Sequence, residues 1–439
     1  MKFFNSRQLW HLAYRNLWRN KRRTFSTALA ILAGYAGLIL LSAYIFRVQR
    51  GLETSTVYLN HKGHIAVFKK DALTQFFSRP KKYILTAEDQ KQIGEIFNKY
   101  SDEIEFTGRY LSGTALLSNG HVAVPVLATG FEPETYSRVY HHPEIKKWTP
   151  DWILKEDETT FQEFKHDPRS ISITTGLGEL VGRAPPFMEL PEADRNLQLA
   201  AKSYYNDLNA VNANLGLHHT TGMSLAEDTS LYAPLSLLQE LYATDGIQYW
   251  AIFLKDRTQV NTMKENLDKE FDSKNLSFEA FPFNNETWSP YYVGSMSFLY
   301  VMAIFFVFLI CSAVALSIIN STTLGILERI KEIGTLRAIG FEPRNIADIF
   351  LRENLLMSFM SIFFGQLLGS LIAFVVNSSS IMFSPPGAQG LIQFQLIISP
   401  LLCLMMALMV VLINIMTTFL VVRGVNKKQI VYLLSETGA

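Results

Sequence analysis

Two long stretches without a single Asp, Glu, Lys or Arg, residues 287–327 and 354–422, flank a short segment crowded with charge, and this alternation leaves few folds open. Residues 328–352 carry nine formal charges: Glu328, Arg329, Lys331, Glu332, Arg337, Glu342, Arg344, Asp348 and Arg352. At roughly 3 kcal/mol each at a bilayer centre, holding them in hydrocarbon costs on the order of 25 kcal/mol. The segment therefore reads as a connector in water between two membrane spans.

With 49% hydrophobic side chains, yet 40 Lys or Arg and 39 Asp or Glu, the chain must segregate its charge. Four spans are expected, at residues 24–46, 290–323, 355–376 and 400–422. The first has 23 uncharged residues, and at about 1.5 Å per residue it reaches roughly 35 Å against about 30 Å of hydrocarbon. A helix from residue 290 to 327 reaches on the order of 55 Å, so the second span should project from the bilayer as a stalk. Ser289-Pro290 and Ser399-Pro400 each set a capping hydroxyl before a proline at the first helical position, and Gly424 reads as a stop.

Orientation follows from basic residues. Lys2, Arg7, Arg15, Arg19, Lys21, Arg22 and Arg23 precede the first span with no acid among them, and the tail holds Arg423, Lys427 and Lys428. The turn at residues 377–399 holds no basic residue. Both termini and the connector, residues 324–354, are therefore expected in the cytoplasm, leaving residues 47–289 as a large extracytoplasmic domain. Residues 1–23 form a basic amphipathic helix and 423–439 a cytoplasmic tail. The first span is too long for a signal-peptide core, and no small-residue cleavage pattern follows it. Cys311 and Cys403 both fall inside spans, so the large domain has no disulfide available. The net charge of +1, without a basic block, gives no sign of nucleic acid.

The large domain reads as α+β. Residues 64–68 form a strand, and Thr86-x-x-Asp89 a capping box opening a helix to about Tyr100. Residues 103–117 and 122–129 alternate as strands around Asn119-Gly120, a hairpin signal. A second strand-helix-strand unit follows at residues 247–255, 256–271 and 276–283. Between the two units, proline and charge clusters suggest an inserted subdomain at about residues 134–229. The fold class is thus a membrane protein with four transmembrane helices and an α+β periplasmic domain between helices 1 and 2.

The basic LAYRNLWRNKRRT at residues 12–24, one span, a large exported domain, three further spans and ERIKEIGTLRAIGF at residues 328–341 together resemble the MacB/FtsX-like family of type VII ABC transporter permeases. GHIAVFKKD (63–71), SITTGLGELVG (172–182) and TSLYAPLSLLQELY (229–242) add to the likeness, and the layout is most similar to the lipoprotein-releasing permeases. The resemblance implies a non-catalytic subunit of the bacterial inner membrane. It would transmit the motion of a separate ABC ATPase to its periplasmic domain and work beside a second permease copy or a paralogue. ATP and Mg would be bound by the ATPase, with no cofactor in this chain, and G-x-x-x-x-G-K-[ST] is indeed absent. A lipoprotein, or a periplasmic carrier or adaptor, would be a further partner alongside membrane lipid. The alternative is an FtsX-like scaffold that switches on an extracytoplasmic cell-wall hydrolase.

Carried over from the family, the ATPase-coupling residues are Glu328, Arg329, Lys331, Glu332, Ile333, Gly334, Leu336, Arg337, Ile339 and Gly340. Ile330, Ile333, Leu336 and Ile339 are expected to form an apolar stripe filling a groove on the ATPase. Gly34, Gly37, Leu41 and Tyr44 of the first span are candidates for a substrate or dimer seam, with packing inside one chain as the competing use of the glycines. Arg7, His11, Arg15 and Arg19 line one face of the N-terminal helix, as an elbow or as a topology anchor. His218, His219 and Asp228 lack a recognisable metal-ligand spacing, and neither H-E-x-x-H nor G-x-S-x-G occurs. Asn320 and Asn414 suggest hydrogen bonds between helices.

Overall fold

A computed structural model describes residues 6–19, 21–149, 165–183, 190–384 and 390–426. Most of the tail, the first five residues and parts of the presumed insertion at 150–164 and 184–189 lie outside the described residues. Among the described residues four helices are long and apolar enough to cross a membrane. They are Lys21–Thr54, Pro290–Glu328, Pro343–Ser378 and Pro400–Asn426, here the first to fourth long helices. The second and fourth start at the two Ser-Pro prolines, although the Ser289 hydroxyl, expected as a cap, makes no hydrogen bond among the described residues. The first continues past residue 46 to Thr54 and passes into a π-helical turn, Ser55–Leu59. Contacts divide the chain into two compact units, residues 1–48, 297–381 and 394–439 in one, and residues 49–296 with 382–393 in the other.

In the helical unit, Ile31, Leu38, Ile39, Val314, Ile318, Met357 and Val410 form a buried cluster drawn from all four long helices. Small residues set the spacing. A Cβ on Gly34 would stand 2.5 Å from Val314 Cγ2 of the second helix, and one on Gly365 would stand 2.9 Å from the Leu32 carbonyl oxygen. The first helix is therefore held between the second and third at backbone contact. The Tyr35 hydroxyl reinforces this, within hydrogen-bond distance of Gln366 Oε1 (3.1 Å) and the Cys403 carbonyl (3.2 Å). Because the obstacle at Gly365 is backbone and cannot rotate away, Gly365→Ala is expected to cost about 1–3 kcal/mol. Thermal unfolding in detergent checks this, with an unchanged midpoint as the contrary result.

Apart from a small pair at Met382–Phe383 and Ile392–Gln393, the second unit is built on a sheet of nine strands among the described residues. These are β1 (Ile65–Lys69), β2 (Ile104–Ser118), β3 (Ala123–Phe131), β4 (Ser170–Thr174), β5 (Asn196–Lys202), β6 (Leu208–His219), β7 (Ser230–Pro234), β8 (Tyr249–Leu254) and β9 (Phe278–Pro282). Local signals position several of them. Thr86 and Asp89 form the capping box that opens the helix Ala87–Lys99. At the β2–β3 turn Asn119 Oδ1 accepts from the amides of His121 and Val122, both at 2.8 Å, and Gly120 takes φ +89°.

The pairings close on themselves. β2 pairs with β3, β3 with β7, β7 with β4, β4 with β6, β6 with β5, and β5 returns to β2. This six-stranded ring shares β2 with a four-stranded sheet ordered β2-β8-β1-β9. Inward alternation is plain on β5, where Leu197, Leu199 and Ala201 are buried between exposed or half-exposed neighbours. The apolar helix Leu235–Tyr242 packs against β2, β3, β5, β6 and β7 and so supplies the core of the ring. Gly113 and Gly130 make room for it, since a Cβ there would meet Tyr242 Oη at 2.4 Å and Leu238 at 3.0 Å.

The expected inserted subdomain at residues 134–229 is thereby corrected: β4, β5 and β6 from that stretch complete one ring with strands that precede and follow it. A two-stranded hairpin leaves outer edges with unpaired amides and carbonyls, and β7 and β5 take them up.

Candidate functional site

The charged segment after the second long helix folds as a break, a short helix and a cap. Arg329 leaves the helical region (φ −112°, ψ 18°) and ends the second helix at Glu328. The connector helix, Ile330–Ala338, then stops at Gly340, whose φ of +101° is open only to glycine at low cost. The Phe341 amide donates to the Leu336 carbonyl (3.0 Å) and the Gly340 amide to that of Arg337 (3.1 Å), the paired bonds of a Schellman cap. Pro343 begins the third long helix, so the connector outside helices is shorter than residues 324–354 suggested.

The expected stripe of Ile330, Ile333, Leu336 and Ile339 is corrected. Steps of three residues fall about 60° short of a full turn, so three such steps carry the stripe half-way round the helix. Ile330 and Ile333 accordingly face inward, Ile333 packing with Ile326, Ile346, Phe350 and Val422, while Ile339 is 73% exposed. Gly334 is buried, Leu336 and Arg337 are half-buried, and Lys331, Glu332, Thr335, Ala338 and Gly340 are exposed. A partner can reach this second group together with Glu328 and Ile339, and Leu336 and Arg337 in part.

Ion pairs fix the connector to the rest of the helical unit. Glu332 pairs with Arg19 at 2.6 Å, raising the Arg19 pKa above its ordinary value, and Glu328 pairs with Arg23 at 2.7 Å. Arg329 is buried and grips both carboxylate oxygens of Glu353, at 3.2 and 3.3 Å. Arg23 also approaches Glu353, at 3.7 Å. Of the residues expected on the docking surface, Arg329 and Ile333 thus serve inside the chain. Arg19, Arg23 and Glu353 are the members that sequence reasoning missed, although Glu353 is detectable as the last charge before the long uncharged run.

The N-terminal helix, Ser6–Arg19, packs against the third long helix, burying Ala13 and Leu17 and laying Arg352 over the Trp10 ring at 5.3 Å. In the first long helix, Gly34 is occupied by Val314 of the same chain, Gly37 lies 3.6 Å from Ile310 by its virtual Cβ, and Leu41 and Tyr44 are half-buried. Tyr44 stacks on Phe394 at 5.4 Å. Asn414 donates to the Asn354 carbonyl at 3.1 Å, whereas Asn320 is exposed.

In the second unit a cleft of about 560 Å³ is lined by Arg50, Glu53, Tyr58, Glu105, His142 and Arg257 among others. Three of its charges are spent on one another or on Glu144, Arg50 on Glu53 and Glu144 and Arg257 on Glu53, while His142 Nε2 lies 3.2 Å from Glu105. His219 is likewise enclosed, its Nδ1 2.9 Å from Ser172 Oγ and its Nε2 3.0 Å from Ser230 Oγ. Among the described residues no group of three or more His, Cys, Asp or Glu is placed to hold a metal ion.

Residues 304–430 match the family described as FtsX-like permease C-terminal. The ABC transporter permease YtrF of Bacillus subtilis (strain 168) is 21% identical over 403 residues, covering 84% of each chain. Two solved structures share a likeness to part of the chain. The extracellular domain of the noncanonic ABC-type transporter YknZ from Gram-positive bacteria has a TM-score of 0.32 at 12% identity, covering 49% of this chain and 98% of that one. The periplasmic region of MacB from Actinobacillus actinomycetemcomitans has a TM-score of 0.30 at 9% identity, covering 50% and 88%. The first two findings carry the likeness. The chain carries, at residues 304–430, a match to an FtsX-like permease C-terminal domain and is a homologue of an ABC transporter permease.

Proposed function

We propose that this chain is the non-catalytic permease subunit of a bacterial inner-membrane ABC transporter, with both ends in the cytoplasm and its nine-stranded unit in the periplasm. The exposed edge of the connector, Lys331, Glu332, Thr335 and Ile339, docks on a separate ATPase that binds ATP and Mg. Closure of two such ATPases drives two permeases, identical or paralogous, and the motion reaches the periplasmic units. There it extracts or hands over a lipoprotein or another amphipathic substrate. The observation that carries this reading is the division of the connector helix. One side buries Ile333 and is clamped through Arg329 and Glu353 to the third long helix, and the other presents an exposed isoleucine and charged side chains. An apolar anchor ringed by charge is the form a docking hot spot takes.

Ile339→Asp and Lys331→Glu are expected to weaken association with the ATPase by about 30-fold or more each, as loss of a hot-spot contact of about 2 kcal/mol does. Folding should be unaffected because both side chains are exposed. Copurification from cells, followed by titration of ATP hydrolysis with purified permease, reads the effect. A well-folded chain that brings down no ATPase would count against the proposal.

A further inference from the structure

We infer that two adjacent residues of the third long helix, Glu353 and Asn354, are positioning residues that tie the connector to all four long helices at once. This rests on the function proposed above and names where its motion divides. Glu353 receives the connector through Arg329 and the first helix through Arg23. Gly325 lets Arg23 cross the second helix to get there, since a Cβ at that position would stand 2.8 Å from Arg23 Nη1.

One residue on, the Asn354 amide uses both its hydrogens: it donates to Thr322 Oγ1 of the second helix at 2.9 Å and to Thr418 Oγ1 of the fourth at 2.8 Å. Its own carbonyl accepts from Asn414 of the fourth helix at 3.1 Å. Asn414 also donates to Ser358 Oγ, and the Thr418 hydroxyl donates back to Asn414 Oδ1 at 3.1 Å, so the network closes. Asn354, Thr322, Ser358, Asn414 and Thr418 are all buried. A small polar void bordered by Arg23, Ser321, Thr322, Glu353 and Asn354 joins the charged tier to the amide tier.

Side-chain networks at low dielectric hold discrete arrangements, because a half-broken set leaves polar groups bare where water cannot replace the partner. A displacement of Arg329 therefore moves Glu353, and Asn354 cannot follow without carrying Thr322 and Thr418 or losing both bonds. The ordinary use of such a network is static glue between helices. The two uses differ in whether a change at Thr418 of the fourth helix is felt in the connector, which that helix otherwise meets through Val422 against Ile333.

The first test needs no partner. Amide hydrogen exchange of residues 330–338 is measured on the full chain in lipid nanodiscs, comparing wild type with Thr418→Val and Thr322→Val, which keep shape and delete one hydroxyl each. Tenfold faster exchange in the connector, on the order of the change that loss of a shared network produces, is the expected result. Wild-type exchange there in both variants overturns the inference. The second test adds the copurified ATPase and separates kcat from binding. Asn354→Leu should lower permease-stimulated kcat about tenfold or more with unchanged affinity for the ATPase, and Asn354→Gln should recover part of it. Loss of affinity in step with kcat would reduce the pair to a scaffold for docking and also overturn the inference. If no ATPase binds even the wild type, the proposed function fails, and the exchange measurement still decides the network.

Discussion

Acidification from pH 7.5 to pH 5 is expected to remove about 4 kcal/mol or more of stability from the nine-stranded unit, and three buried histidines are the cause. Burial pushes His61 and His64 down to about 3 and His219 well below its ordinary value. Neighbouring positive groups add to the effect at His64, where His142, Arg257 and Arg50 lie close. Geometry enforces neutrality as well: His64 Nδ1 accepts a hydrogen bond from the Leu254 amide at 3.0 Å, and a proton on that nitrogen would face a donor. His61 is stacked on Phe131 at 4.4 Å and His219 on Tyr232 at 3.7 Å, and both rings are buried.

The sign follows from linkage. Each histidine has a folded pKa below its unfolded value near 6.5, so above that pH both states are neutral and the contribution is intact. As pH falls below about 6.5 the unfolded chain takes up protons that the folded chain refuses, and for His61 and His64 stability declines until the folded pKa near 3 is reached. At pH 5 these two cost about 2 kcal/mol each, and His219 acts in the same direction. Lys62, lowered by burial to about 8, is protonated in both states through this window and leaves the slope unchanged. Denaturant unfolding of the full chain in detergent, followed by the fluorescence of Trp148, Trp250 and Trp288, should show the steepest loss between pH 6 and 5. His61→Phe should make the loss about 2 kcal/mol smaller, and a flat profile would contradict the assignment.

Glu53→Ala is expected to cost about 3–5 kcal/mol, the range found when one member of a buried ion pair is deleted. The Glu53 side chain is 6% exposed and holds Arg50 at 3.2 Å and Arg257 at 2.8 Å. Arg50, itself buried, also holds Glu144 at 2.6 Å and lies over the Trp148 ring at 4.9 Å, so it has no solvent to turn to. Arg257 is 39% exposed and can rehydrate. The substitutions should therefore rank, with Glu53→Ala and Arg50→Ala severe and Arg257→Ala within about 1 kcal/mol. Urea midpoints for the three variants give the order, and a severe Arg257→Ala beside a mild Arg50→Ala would reverse the account.

Where one residue type decides the local outcome, the structure follows the sequence closely. Uncharged runs became long helices, Ser-Pro pairs became their starts, and Thr86 with Asp89 and Asn119 with Gly120 made the cap and the turn assigned to them. The ring of strands was illegible because closing it depends on β5 meeting β2 and β7 meeting β3, partners separated by most of the unit. Alternation shows which face of a strand is buried, and it is silent on which edge finds which. The first helix outran residue 46 because Arg47, Arg50 and Glu53 read as aqueous, whereas each finds a partner inside the fold.

At the connector, the motif located the segment and the charge count set its limits, yet the faces could not be assigned. Ile330 and Ile339 look equivalent in sequence, and only the 3.6-residue turn together with the packing of Phe350 and Val422 sends one inward and leaves the other exposed. Glu353 and Asn354 were hidden for a simpler reason. They stand at the border between the charged segment and the apolar run, where a boundary is noted and its residues are passed over, and their partners come from three other helices.

The whole account requires that the exposed edge of the connector face the cytosol. With Cys311 and Cys403 replaced by Ala, a cysteine at Lys331 should resist a membrane-impermeant maleimide in intact spheroplasts and react fully once inverted vesicles expose the cytoplasmic face. Labelling of that cysteine in intact spheroplasts would contradict the account.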